Sequence, residues 1–130
     1  MNENKLVYIA SPYAGDVEAN VAFAKAACRY AMAQDATPVA VHLLYPAMLD
    51  DNVPAEREAG IRMGLRVLKA CDELWLCGSR MSHGMKAELA AAGQLGIPVC
   101  RVSQQEIENS IQISQTEMHQ AAFTPVMGMT

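Results

Sequence analysis

Short apolar runs alternate with longer helical stretches along most of this chain. Leu6–Ala10, Thr37–His42, Asp72–Cys77 and Ile97–Val102 are each the length of a strand, and each is bounded by turn residues. Their residues are apolar without strict alternation, the pattern of strands covered on both faces. Between them lie stretches with helix signals. Asp16 is placed to cap a helix running to about Gln34. Pro54 opens another to about Ala70, with Ile61, Leu65 and Leu68 on one face. A third, from about His83 to Leu95, carries Met85, Leu89 and Ala92 inward and ends at Gly96 before Pro98. A short helix from Gln104 to about Ile111 closes the series. The order β-α-β-α-β-α-β-α predicts an α/β fold: a parallel sheet with helices on both sides.

At 130 residues the chain is the size of one domain, here residues 1–113. Periodicity fades over 114–130, which reads as an irregular tail; its Met118, Phe123, Val126 and Met127 are also available to pack on a partner subunit. A net charge of −4 with no basic stripe argues against a nucleic-acid polymer as partner. The first residues lack a signal-peptide layout, and no apolar run approaches the ~20 residues that span a bilayer, so a cytoplasmic protein without a membrane partner is expected. Cys28, Cys71, Cys77 and Cys100 form no C-x-x-C pair and read as buried free thiols.

In parallel sheets, ligands sit outside the carboxyl ends of the strands. That rule directs attention to the stretches 10–16, 42–51, 78–88 and 103 onward. Glu88 lies about 60° from the centre of the Met85–Leu89–Ala92 stripe, at the flank of the packed face. A carboxylate there is placed to attack an anomeric carbon, although on position alone a solvated helix glutamate is the commoner case. Ser82 and Gly84 open the same helix: serine caps it, and glycine admits a ligand to the backbone. Tyr8 and Tyr13 read equally well as ligand contacts or as rim aromatics. His42, His83 and His119 show no metal-ligand spacing, and His42, at a strand's end, is the one best placed for a site. Asp72 reads as a turn or capping residue, Asp50 and Asp51 as solvated loop charges. No phosphate-binding glycine motif of the P-loop or G-x-G-x-x-G type is present.

Tyr8-Ile9-Ala10-Ser11-Pro12-Tyr13, Cys71-Asp72-Glu73-Leu74-Trp75, and Ser82-x-Gly84-x-x-x-Glu88 with Gly96-Ile97-Pro98-Val99 together resemble the nucleoside 2-deoxyribosyltransferase superfamily. The closest likeness is to its small bacterial and phage branch, related to nucleotide N-hydrolases, and it covers about residues 5–103. The resemblance implies a flavodoxin-like or Rossmann-like three-layer sandwich with a sheet of four to five parallel strands. It also implies homo-oligomers, dimers or higher, with sites near subunit interfaces. The implied chemistry is cleavage or transfer of the N-glycosidic bond of a nucleoside or nucleoside 5′-monophosphate, with no metal or organic cofactor. Glu88 is then the nucleophile and Tyr8 its orienter. Ser11, Pro12, Tyr13, Gly15, His42, Ser82, Gly84 and Met85 form the substrate-binding set. Ser82 matches the serine of the nucleotide N-hydrolases and leans toward a monophosphate, whereas Pro12 and Ala14 stand where those hydrolases carry serine and arginine. The family's catalytic aspartate falls on Gly64, so the acid that protonates the leaving base is missing; Glu58, Asp50 and His42 are the replacements at hand. A non-catalytic nucleotide-binding protein with the same pocket is the alternative.

Overall fold

The computed structural model describes residues 4–110. It contains β1 (Leu6–Ala10), α1 (Val17–Ala33), β2 (Thr37–Val39), α2 (Pro54–Ala70), β3 (Glu73–Cys77), α3 (His83–Leu95) and β4 (Val99–Val102). Residues 104–110 are helical as well. The four strands form one parallel sheet in the order β2-β1-β3-β4. The expected tail, 114–130, lies outside the described residues. Among those residues no helix is long and apolar enough to cross a membrane.

The alternation of side chains along β1 divides the interior in two. Val7 and Ile9 point to one face, where Ala27 and Ala31 of α1, Trp75, Val102 and Ile107 complete a core. Tyr8 and Ala10 point to the other, against Leu68 of α2, Met85 and Ala92 of α3, and Leu74 and Leu76 of β3. Helices on both faces make three layers, the α/β architecture the alternating runs predict.

Local chemistry explains where the elements begin and end. Asp16 accepts a hydrogen bond from Ala19 N at 3.1 Å and caps α1. Pro54 occupies the first turn of α2, where its missing N–H costs nothing. Gly96 ends α3 at φ 72°, in the left-handed region that glycine tolerates best. Asp72 ties β1 to β3: its carboxylate accepts from Leu6 N at 2.8 Å, while its own N–H donates to Leu6 O at 2.7 Å.

Four expectations need correction. The second strand stops at Val39, and Val41–Leu43 winds into a 3-10 turn, so His42 sits on that turn instead of on the strand. The strand lies at the sheet edge, which is where Pro38 is tolerated. Ile61 is 56% exposed and Leu89 37% exposed, so neither belongs to the packed stripe of its helix. Cys71 and Cys77 are buried, but Cys28 is half-buried and Cys100 exposed on the outer strand.

Candidate active site

The exposure of Leu89 changes the meaning of the α3 stripe. Met85 and Ala92 are buried and Leu89 is not, so the packed face is turned toward Glu88. Glu88 therefore projects into the molecule, where the Tyr8 hydroxyl donates to its Oε2 at 2.5 Å. Tyr8 is itself buried and stands in the middle of β1, a fixed anchor for the carboxyl group. Burial raises the Glu88 pKa above the ordinary carboxylate range, and the Tyr8 hydrogen bond opposes that rise. Burial, and then the neighbouring Glu88 charge, push the Tyr8 hydroxyl far upward, so it remains a donor.

This pair opens onto a cavity of about 260 Å³ between α2, α3 and the loop after β2. Its walls are largely apolar, with Val41, Tyr45, Pro46, Leu49, Ile61, Leu65 and Ala87; Asp51, Glu56 and Arg57 contribute charge. The space depends on two glycines of α2. A Cβ on Gly64 would lie 3.3 Å from the Tyr8 hydroxyl and 3.4 Å from Val41 Cγ2, and one on Gly60 would lie 3.3 Å from Leu49 Cδ1. The position that lacks the expected acid thus faces the hydroxyl of the residue that holds Glu88, with room for no side chain between them.

His42 also lines the cavity, and its Nε2 lies 2.8 Å from the Oγ of buried Ser11. Burial lowers its pKa to about 4, so the ring is neutral near pH 7.

Of the residues expected to form the site, Glu88, Tyr8, His42 and Gly84 are brought together in the cavity wall. Ser11 reaches it through His42. Pro12, Tyr13, Gly15, Ser82 and Met85 are not part of the wall. The Ser82 hydroxyl is used as a helix cap, accepting from Met85 N at 3.2 Å, and Met85 is a core residue whose sulfur accepts from Ser82 N. Asn20 Nδ2 donates to the Tyr13 and Ala14 carbonyls at 3.0 Å and fixes the first loop. Of the replacement acids, His42 lines the cavity, whereas Asp50 and Glu58 do not. Sequence reasoning missed Tyr45, Glu56 and Arg57 in the wall. A signal existed: Glu56, Gly60 and Gly64 recur at intervals of four, as do Arg57, Ile61 and Leu65, which places both rows on one face of α2.

A family model described as Domain of unknown function (DUF7768) matches residues 5–102. The chain belongs to that family. The matched stretch runs from the residue before β1 to the end of β4, so this DUF7768 domain contains the sheet and the Tyr8–Glu88 pair. No curated protein matches it. Among solved structures it is similar in fold to a 2-deoxyribosyltransferase from the psychrotolerant bacterium Bacillus psychrosaccharolyticus. That likeness has a TM-score of 0.60 at 21% identity and covers 75% of this chain and 72% of the other. The resemblance read from the sequence thus holds at the level of the fold.

Proposed function

We propose that this domain cleaves or transfers the N-glycosidic bond of a nucleoside or nucleoside 5′-monophosphate, with Glu88 as the nucleophile. The observation that carries the reading is a half-buried carboxyl group, held by a buried tyrosine, in the wall of a largely apolar cavity. One Glu88 oxygen accepts from Tyr8, which leaves the other for attack on the anomeric carbon. The base departs with the C–N electron pair, and a glycosyl ester forms on Glu88. Water resolves the ester in hydrolysis, a second base in transfer. Desolvation makes the carboxylate a stronger nucleophile, while the Tyr8 hydrogen bond keeps its ionised form within reach. The solved protein of like fold is named a 2-deoxyribosyltransferase, and that name supports nucleoside glycosyl transfer as the class of reaction.

The test is incubation with a panel of nucleosides and their 5′-monophosphates, with free base detected by chromatography. We expect release from at least one member and a loss of at least about 1,000-fold in Glu88→Ala, the size typical of removing a nucleophile. Turnover by that variant would exclude Glu88 from the chemistry. Glycine at position 64, against the Tyr8 hydroxyl, favours one second reading: a binding protein that retains the pocket without the acid. It is the better account if calorimetry detects nucleotide binding and prolonged incubation yields no free base.

A further inference from the structure

The chain around β1 places two buried hydroxyls behind side chains of the same cavity wall. Tyr8 holds Glu88, and Ser11, just beyond the strand, meets His42. The second pairing ties the tautomer of the neutral imidazole to the Ser11 hydroxyl. Ser11 has a hydroxyl proton to donate, and its only hydrogen-bond partner among the described residues is His42 Nε2. With Nε2 accepting that proton, the proton of the neutral ring is assigned to Nδ1. Among the described residues Nδ1 has no hydrogen-bond partner, and no buried side-chain nitrogen or oxygen lacks one. It is therefore accessible, on a side chain that forms part of the cavity wall.

We propose that His42 Nδ1–H donates a hydrogen bond to the departing base, with Ser11 as the positioning residue that fixes the tautomer. The inference rests on the N-glycosidic reading above and addresses the acid missing at Gly64. The other polar groups of the wall are less suited. Asp51, Arg57 and His83 are exposed, Glu56 Oε1 is engaged by Asp50 N at 2.8 Å, and the Tyr45 hydroxyl has no hydrogen bond among the described residues to orient it. The bond from Glu88 to the anomeric carbon forms as the C–N bond breaks, and the electron pair passes to the base. The Nδ1–H bond stabilises that negative charge without giving up its proton, and the base takes its proton from water. Over a hydrolytic cycle one water is consumed. Its proton ends on the base and its hydroxyl on the sugar, and Glu88, His42 and Ser11 return to their starting states.

The decisive readout is dependence on the leaving group. The substrate found in the panel is compared with an analogue whose base departs more easily: N7-methylated for a purine, 5-fluorinated for a pyrimidine. His42→Ala is expected to lose about 100-fold on the parent substrate and to recover most of that loss on the analogue. Ser11→Ala should show the same pattern at about 10-fold, with rescue by Ser11→Thr; it carries the test alone if His42→Ala does not fold. Equal losses on both substrates, or no loss on either, overturn the proposal while the N-glycosidic reading stands. A wild type that releases neither base removes both.

Discussion

The two faces of this sheet are built from the same strands and have opposite character. Toward α1, Val7 and Ile9 meet Ala27 and Ala31, four side chains with essentially no exposure. Small residues on the helix bring it close to the strand and leave no polar group to satisfy. Toward α2 and α3, Tyr8 stands between those two residues of β1, and its hydroxyl reaches a carboxyl group instead of a methyl. Glycines replace alanines at the contact, and the helix bounds a cavity. One face is packed for stability. The other gives up packing to hold a carboxyl group against a buried tyrosine at an open wall. A period of two residues along β1 is enough to separate the roles.

Substitutions on adjacent β1 positions should therefore have opposite signatures. Ile9→Ala should cost about 2–5 kcal/mol in denaturant unfolding, the usual range for emptying a core site. Base release by the folded fraction, measured well below the melting transition, should be unchanged. A lost turnover with intact stability would erase the contrast between the faces. Tyr8→Phe should lower base release by about 10- to 100-fold, at a stability cost of about 1–3 kcal/mol for the unpaired Glu88. Glu88 must be ionised to attack, and Tyr8 is what holds its pKa down. The acid limb of the rate profile should consequently move to higher pH in Tyr8→Phe; an unmoved limb would separate Tyr8 from Glu88 ionisation.

The pH dependence of stability sharpens the comparison, because two groups on the cavity side act in opposite senses. His42 falls from 6.5 to about 4 in the folded state, so the unfolded chain binds more protons between those values. Its contribution is complete above the unfolded value and is lost as pH falls through the folded one. Glu88 is raised, so its contribution is present at low pH and declines as pH rises past the ordinary carboxylate range. His42→Phe should flatten the loss of stability between pH 6.5 and 4, which chemical denaturation at several pH values will measure. Leu89→Ser, on the exposed side of α3, should change stability by less than about 0.5 kcal/mol. A larger cost would return Leu89 to the core and turn Glu88 outward.

The same contrast explains what could be read from sequence. The extents of α2 and α3 followed from Pro54, Ser82 and Gly96, because capping and glycine chemistry are local. The parallel sheet and its three layers followed from alternation, whereas the order β2-β1-β3-β4 across the sheet did not. What failed was the choice of helix face. Leu89 and Ile61 satisfied the spacing of a buried stripe, yet the side a helix buries depends on where the sheet and its neighbour lie. An offset of about 60° placed Glu88 at the flank of its helix. With Leu89 exposed, the same offset puts it inside. The loop after β1 and the start of α3 illustrate a second limit. Ser11, Tyr13 and Ser82 were each reasonable ligand contacts, but their polar atoms also serve internal bonds that only the folded chain reveals. Tyr45 and Arg57 were missed because the cavity forms between segments remote in sequence.

In the proposed reaction Glu88 becomes covalently linked to a sugar. A substrate carrying fluorine at the sugar 2 position destabilises the cationic transition states and should allow the ester to accumulate. Trypsin cleaves after Lys86 and Arg101, so Glu88 lies in the peptide 87–101. Mass spectrometry should find that peptide heavier by the fluorinated sugar in the wild type and unmodified in Glu88→Gln. Release of the base with no sugar on peptide 87–101, or with the sugar on another peptide, would contradict the account.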